Sequence, residues 1–112
     1  MQKWMVPVAA IAASALLACG EKDADPQAAL AARGGVVYDT NCTACHAREP
    51  GQKGPVGPAI AGASLELLQH KVLRNEYPPG YVPKRDTKAM VPLVHLEKEL
   101  PALHAFLQKA TP

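Results

Sequence analysis

The chain is poor in aromatic side chains, with one Phe, three Tyr and one Trp among 112 residues, the Trp at position 4. So few rings leave a domain of this size short of the volume an independent core needs. It also lacks a long apolar run. The longest, Val6 to Leu17, falls below the roughly 20 residues of a membrane-spanning helix. No stretch alternates apolar and polar residues convincingly enough to be a strand, which argues against a sheet. There is no internal repeat and no low-complexity tract. A net charge of +2 decides little, and nothing suggests nucleic acid as a partner.

Cysteine is scarce too, but two of the three stand in Cys42-Thr43-Ala44-Cys45-His46. Two thiols at this spacing can add across the vinyl groups of one porphyrin, and the histidine that follows can ligate its iron. C-x-x-C-H is accordingly read as covalent haem attachment. Other readings stay open. A redox dithiol calls for a βαβ setting, of which the flanks show no sign. A structural zinc site needs four ligands, yet no second C-x-x-C or H-x-x-x-H pair follows, and His70, His95 and His104 are scattered. A short-loop disulfide suits an oxidising compartment but leaves His46 without a role. Haem would also supply the missing core volume and staple a small scaffold. On this reading the apoprotein is poorly folded.

Residues 1–18 read as an export signal, with Lys3 as its positive start and Val6–Leu17 as its apolar stretch. An uncleaved anchor is the alternative. Leu16-Leu17-Ala18-Cys19 resembles the bacterial lipobox, and that resemblance implies lipidation of Cys19 as the mature N-terminus. This gives the odd third cysteine a role. Residues 19–26 are small and charged and form a tether, leaving 27–112 as the single folded domain. The expected location is the periplasm or another extracytoplasmic face, with a lipid anchor to the membrane.

Within the domain the pattern is all-α. A first helix is expected from Pro26 to Asn41, with proline in its first turn and an alanine-rich start. Gly34-Gly35 interrupts it at about 1 kcal/mol per glycine, a cost that implies close approach of another helix. Tyr38 lies one turn from these glycines and one turn from Cys42, so they share a face. Glu49 to Gly62 is a Pro/Gly-rich loop. Ser64 caps a second helix reaching about Asn75, with Leu65, Leu68 and Val72 on one face. Tyr77-Pro78-Pro79-Gly80-Tyr81-Val82-Pro83 opens a second long loop that carries Met90 and closes at Pro92. A last helix is expected from about Lys98 to Lys109, Pro101 being tolerable only in its first turn. Its apolar stripe is Leu100, Leu103, Phe106 and Leu107. Between Cys42 and Leu93 the bases Arg48, Lys53, Lys71, Arg74, Lys84, Arg85 and Lys88 outnumber Glu49, Glu66, Glu76 and Asp86. That excess either steers an anionic partner or is an ordinary solvated surface.

In this order the parts resemble a class I cytochrome c. The features are Gly35-Val36-Val37-Tyr38 ahead of Cys42, the Gly57-Pro58-Ala59-Ile60-Ala61-Gly62 stretch, Met90 before a proline, and a closing helix with Leu103 and Phe106. The resemblance implies one covalent haem c enclosed by three main helices and long loops. It implies thioethers at Cys42 and Cys45, His46 and Met90 as iron ligands, and the Pro58 carbonyl as hydrogen-bond acceptor from His46. It further places Ile60 and Leu68 on the porphyrin and Gly35 near Phe106. Two departures stand out: Val91 separates Met90 from Pro92, and Pro101 lies in the last helix.

A His/Met pair suits an electron-transfer haem, so the expected function is a membrane-tethered one-electron carrier, not an enzyme, in a respiratory or related redox chain. Its partners are a transient redox donor and acceptor, and the membrane through the N-terminal lipid. A haem-bearing subunit of a larger redox complex is the alternative. A five-coordinate peroxidase or gas sensor would need a vacant axial position, and no distal acid–base pair is evident.

Overall fold

The computed structural model describes residues 25–112; the segment 1–18, Cys19 and the tether as far as residue 24 lie outside them. Among the described residues there are three α-helices and no strand: α1 (Pro26–Asn41), α2 (Leu65–Arg74) and α3 (Leu100–Lys109). None is long and apolar enough to cross a membrane.

Helix α1 starts where local chemistry dictates. The Asp25 carboxylate accepts from the Gln27 amide at 3.1 Å, and Pro26 takes a first-turn position where its missing N–H costs nothing. Helix α2 is capped at both ends. The Ser64 hydroxyl accepts from the Leu67 amide at 3.1 Å, and Asn75 closes it in the left-handed region at φ 54°. The Asn75 and Glu76 amides then return to the carbonyls of Lys71 and His70, satisfying acceptors a helix end leaves open.

The last helix begins two residues later than its sequence pattern suggests. Pro101 stands at the start of α3, and the chain before it, Val94–Glu99, takes a 3-10 form. A proline ring crowds the carbonyl four residues back, here that of Glu97, so a regular α-turn cannot run through this point. The burial pattern is also wider than a single stripe. Ala102 and Ala105 are buried along with Leu100, Leu103 and Leu107, because α3 packs on α1 and on α2.

The contact between α1 and α3 is the most extensive in the fold. Gly34 meets the backbone of Ala102 so closely that a Cβ there would overlap the Ala102 carbonyl, while Gly35 faces the Phe106 ring. The expected approach of Gly35 to Phe106 is present, but the tightest point is one residue earlier. Tyr38 is fully buried one turn on, its ring 5.3 Å from that of Phe106 and its hydroxyl donating to the Ala47 carbonyl at 2.5 Å. Arg33 and Glu99 clasp the outside of the crossing. A core of Val37, Tyr38, Cys42, Leu68, Val72, Leu96, Leu100, Leu103 and Leu107 joins these elements. Main-chain bonds fasten the loops to it: Gly62 N–H to the Leu107 carbonyl at 2.8 Å and Leu93 N–H to that of Val72 at 2.7 Å.

Candidate functional site

The pentapeptide follows directly from α1. The amides of Cys45 and His46 donate to the Cys42 carbonyl at 3.2 and 2.9 Å, so the motif winds as one further turn. Cys42 is buried at the core edge and Cys45 is half-buried. Burial pushes the Cys42 thiol up to about 11.

Beyond the motif, the Pro/Gly-rich loop folds back upon it. The Cys45 carbonyl accepts from the amides of Val56 and Gly57 at 3.2 and 2.8 Å, and the Pro50 carbonyl from those of Ile60 and Ala61 at 2.8 and 3.1 Å. Gly57 is pressed against the His46 imidazole, and a Cβ at this position would run into the ring. His46 Nδ1 lies 2.8 Å from the Pro58 carbonyl oxygen. A carbonyl can only accept, so Nδ1 donates, which in the neutral ring leaves the Nε2 lone pair for a metal.

Between this loop, α2 and the 77–90 segment lies a cleft open to solvent. Cys45, His46, Pro58, Ile60, Leu68 and Met90 all line it. Cys42 is not in the wall and stands one turn behind, packed with Tyr38 and Leu103 in the core. His70, His95 and His104 do not line the cleft. Among the described residues no group of three His, Cys, Asp or Glu side chains is placed to hold a metal ion, so the zinc alternative lacks a ligand set.

The sequence pattern alone did not single out several wall residues: Leu67, Tyr77, Tyr81 and Thr87. Tyr77 and Tyr81 stack at 5.3 Å and 8°, an arrangement that no periodicity announces. Of the basic residues between Cys42 and Leu93, the fold selects Lys71, Lys84 and Arg85 for the wall. Lys84 Nζ donates to the Ala59 carbonyl at 2.9 Å and an Arg85 guanidinium nitrogen to that of Gly54 at 3.0 Å. Among the described residues no carboxylate lines the cleft.

These features suit a porphyrin. Apolar walls from Ile60, Ala63, Leu67, Leu68 and Val72 accept a flat apolar ring. His46 presents one metal-binding nitrogen with the other restrained, the usual arrangement for a ligating histidine. Cationic side chains at the wall match the carboxylates that haem carries.

The family model for Cytochrome c matches residues 31–111. Among curated proteins and among solved structures no significant match is found.

Proposed function

Since this chain belongs to the cytochrome c family, whose members bind covalent haem c and move electrons with it, we propose that it is a monohaem one-electron carrier held at a membrane by an N-terminal lipid. The observation that carries this reading is that His46 and Met90 line one apolar cleft, with His46 Nδ1 tied to the Pro58 carbonyl at 2.8 Å. Haem c supplies an iron that cycles between two valences.

The remaining work belongs to the chain. Cys42 and Cys45 would hold the ring through thioethers. His46 and Met90 would serve as the iron's protein ligands, a nitrogen and sulfur pair suited to electron transfer, with the sulfur raising the potential. The Pro58 carbonyl orients His46 and strengthens it as a donor. Ile60 and Leu68 exclude water from the ring faces. Lys84 and Arg85, with donors their carbonyl bonds leave free, would pair with the carboxylates of a bound haem. The main-chain bonds from Cys45, Pro50 and Val72 hold the surrounding loops stiff, which keeps rearrangement on electron transfer small.

Among the described residues the wall has no second histidine and no carboxylate to act as a distal acid–base pair, so peroxidase chemistry finds no support in it. Donor and acceptor dock transiently over a small interface at the cleft mouth, beside its cations. Lipidation of Cys19 puts the domain at an extracytoplasmic surface, in a respiratory or related redox chain.

Optical spectra of the haem-loaded protein, oxidised and reduced, test the assignment. Six-coordination by histidine and thioether gives a weak red-end band in the oxidised form. Met90→Ala should abolish that band and open the iron to added ligands. A spectrum unchanged by the substitution would make Met90 the wrong ligand. Cys19→Ser should move the protein from the membrane to the soluble fraction; continued membrane retention would point to an uncleaved helix instead.

A further inference from the structure

Among the described residues three cations and no carboxylate line the cleft, whereas haem brings only two carboxylates, so one of these cations is in surplus. Geometry distinguishes which. Lys84 and Arg85 reach across the cleft to backbone carbonyls of the 54–59 segment and keep several donors free. Lys71 is committed elsewhere. Its ammonium donates to Asn75 Oδ1 at 2.7 Å and rests 4.2 Å from the centre of the Tyr77 ring.

That platform is built in. Asn75 turns left-handed to close α2, which carries its side chain back over the helix end. The Tyr81 amide then bonds the Pro78 carbonyl at 3.1 Å, with Gly80 at φ 79°. Pro79 followed by a glycine of positive φ makes a type II turn, and this turn brings Tyr81 flat against Tyr77. Lys71 therefore lies on a rigid aromatic pair, fixed rather than swinging in solvent.

We propose that Lys71 is an electrostatic setting residue: a fixed positive charge on the cleft wall that favours the reduced state of the haem. The inference rests on the electron-carrier reading above. One electron enters from a reduced partner and leaves to an oxidised one, with no bond made or broken. The oxidised site carries one more positive charge, so a fixed cation beside it is repelled more in that state. In a partly desolvated wall this repulsion is screened less than at the surface.

The test is a potentiometric titration of the full haem-loaded protein, followed by its optical bands. Lys71→Met and Lys71→Gln should each lower the ratio of reduced to oxidised protein at a fixed poise by about tenfold, or about 59 mV for one electron. Lys71→Arg should stay within about twofold of the parent. Lys88, exposed and outside the wall, is the control: Lys88→Met should shift the ratio less than twofold, and not at all at 1 M salt. The Lys71 difference should persist at 1 M salt. If both neutral variants shift no more than Lys88→Met, the proposal fails. If they lose the Met–sulfur band, Lys71 is a structural residue and the proposal also fails. A parent protein without haem bands would instead overturn the electron-carrier reading itself.

Discussion

Tyr38 illustrates how much one side chain can join. Its ring fills the junction of α1 and α3, and its hydroxyl ties the helix to Ala47, the residue after the histidine of the motif. Burial is the chief cause that pushes its phenol up to about 12 from 10. The unfolded chain ionises near pH 10 and the folded one only near pH 12. The stabilisation from a neutral Tyr38 is thus full below about pH 10, falls with rising pH and is lost beyond about pH 12. Tyr38→Phe should cost about 1 kcal/mol at neutral pH, through the lost hydrogen bond, and should flatten the alkaline decline. Denaturant melts at pH 8 and pH 11 measure both effects; equal slopes for parent and variant would remove Tyr38 as the cause.

At the scale of elements, the two glycines of α1 look alike in sequence and differ in the fold. A Cβ at Gly34 meets backbone of α3, which cannot yield without parting the helices. A Cβ at Gly35 stands 3.3 Å from the Phe106 ring, which can tilt. Gly34→Ala should therefore destabilise the protein by about 2 kcal/mol despite better helix propensity. Gly35→Ala should fall within about 0.5 kcal/mol of neutral, propensity offsetting a slight crowding. Thermal melts of the two haem-loaded variants check the contrast, and equal losses would refute it. The Arg33–Glu99 clasp spans the same crossing, but it is exposed. Such pairs contribute about 0–1 kcal/mol, so the close approach of the helices dominates. Ser64, the N-cap read from sequence, starts α2 where expected because its chemistry is local, while Asn75 closes the helix near the expected end through a left-handed turn. The start of α3 was legible only to within two residues: Pro101 bars a regular α-turn at Glu97, and the 3-10 turn that takes its place carries Leu96 into the core.

The domain is small, and its cleft is walled by α2 and the long loops, beside the tight crossing of α1 and α3. Much of the apolar wall, including Leu67, Leu68, Val72 and Met90, faces that cleft. Without haem these side chains would lose their partner and the loops their support. The haem-free chain, prepared as Cys42→Ser with Cys45→Ser, should show markedly reduced helicity by circular dichroism and no cooperative melt. A sharp transition near that of the loaded protein would mean that the polypeptide core suffices alone.

Much of this was written in the chain itself. The attachment motif, the α1 boundaries and the N-cap of α2 follow from spacing, propensity and side-chain chemistry acting over a few residues. Tertiary structure decided what depends on distance across the fold. It chose Gly34 over Gly35 as the contact point, because helix register is set by the partner surface. It drew Lys71, Lys84 and Arg85 out of a scattered set of bases, and it stacked Tyr77 on Tyr81, because a turn and a helix end converge there. Local sequence can name groups capable of a task, but only packing determines which of them share one wall.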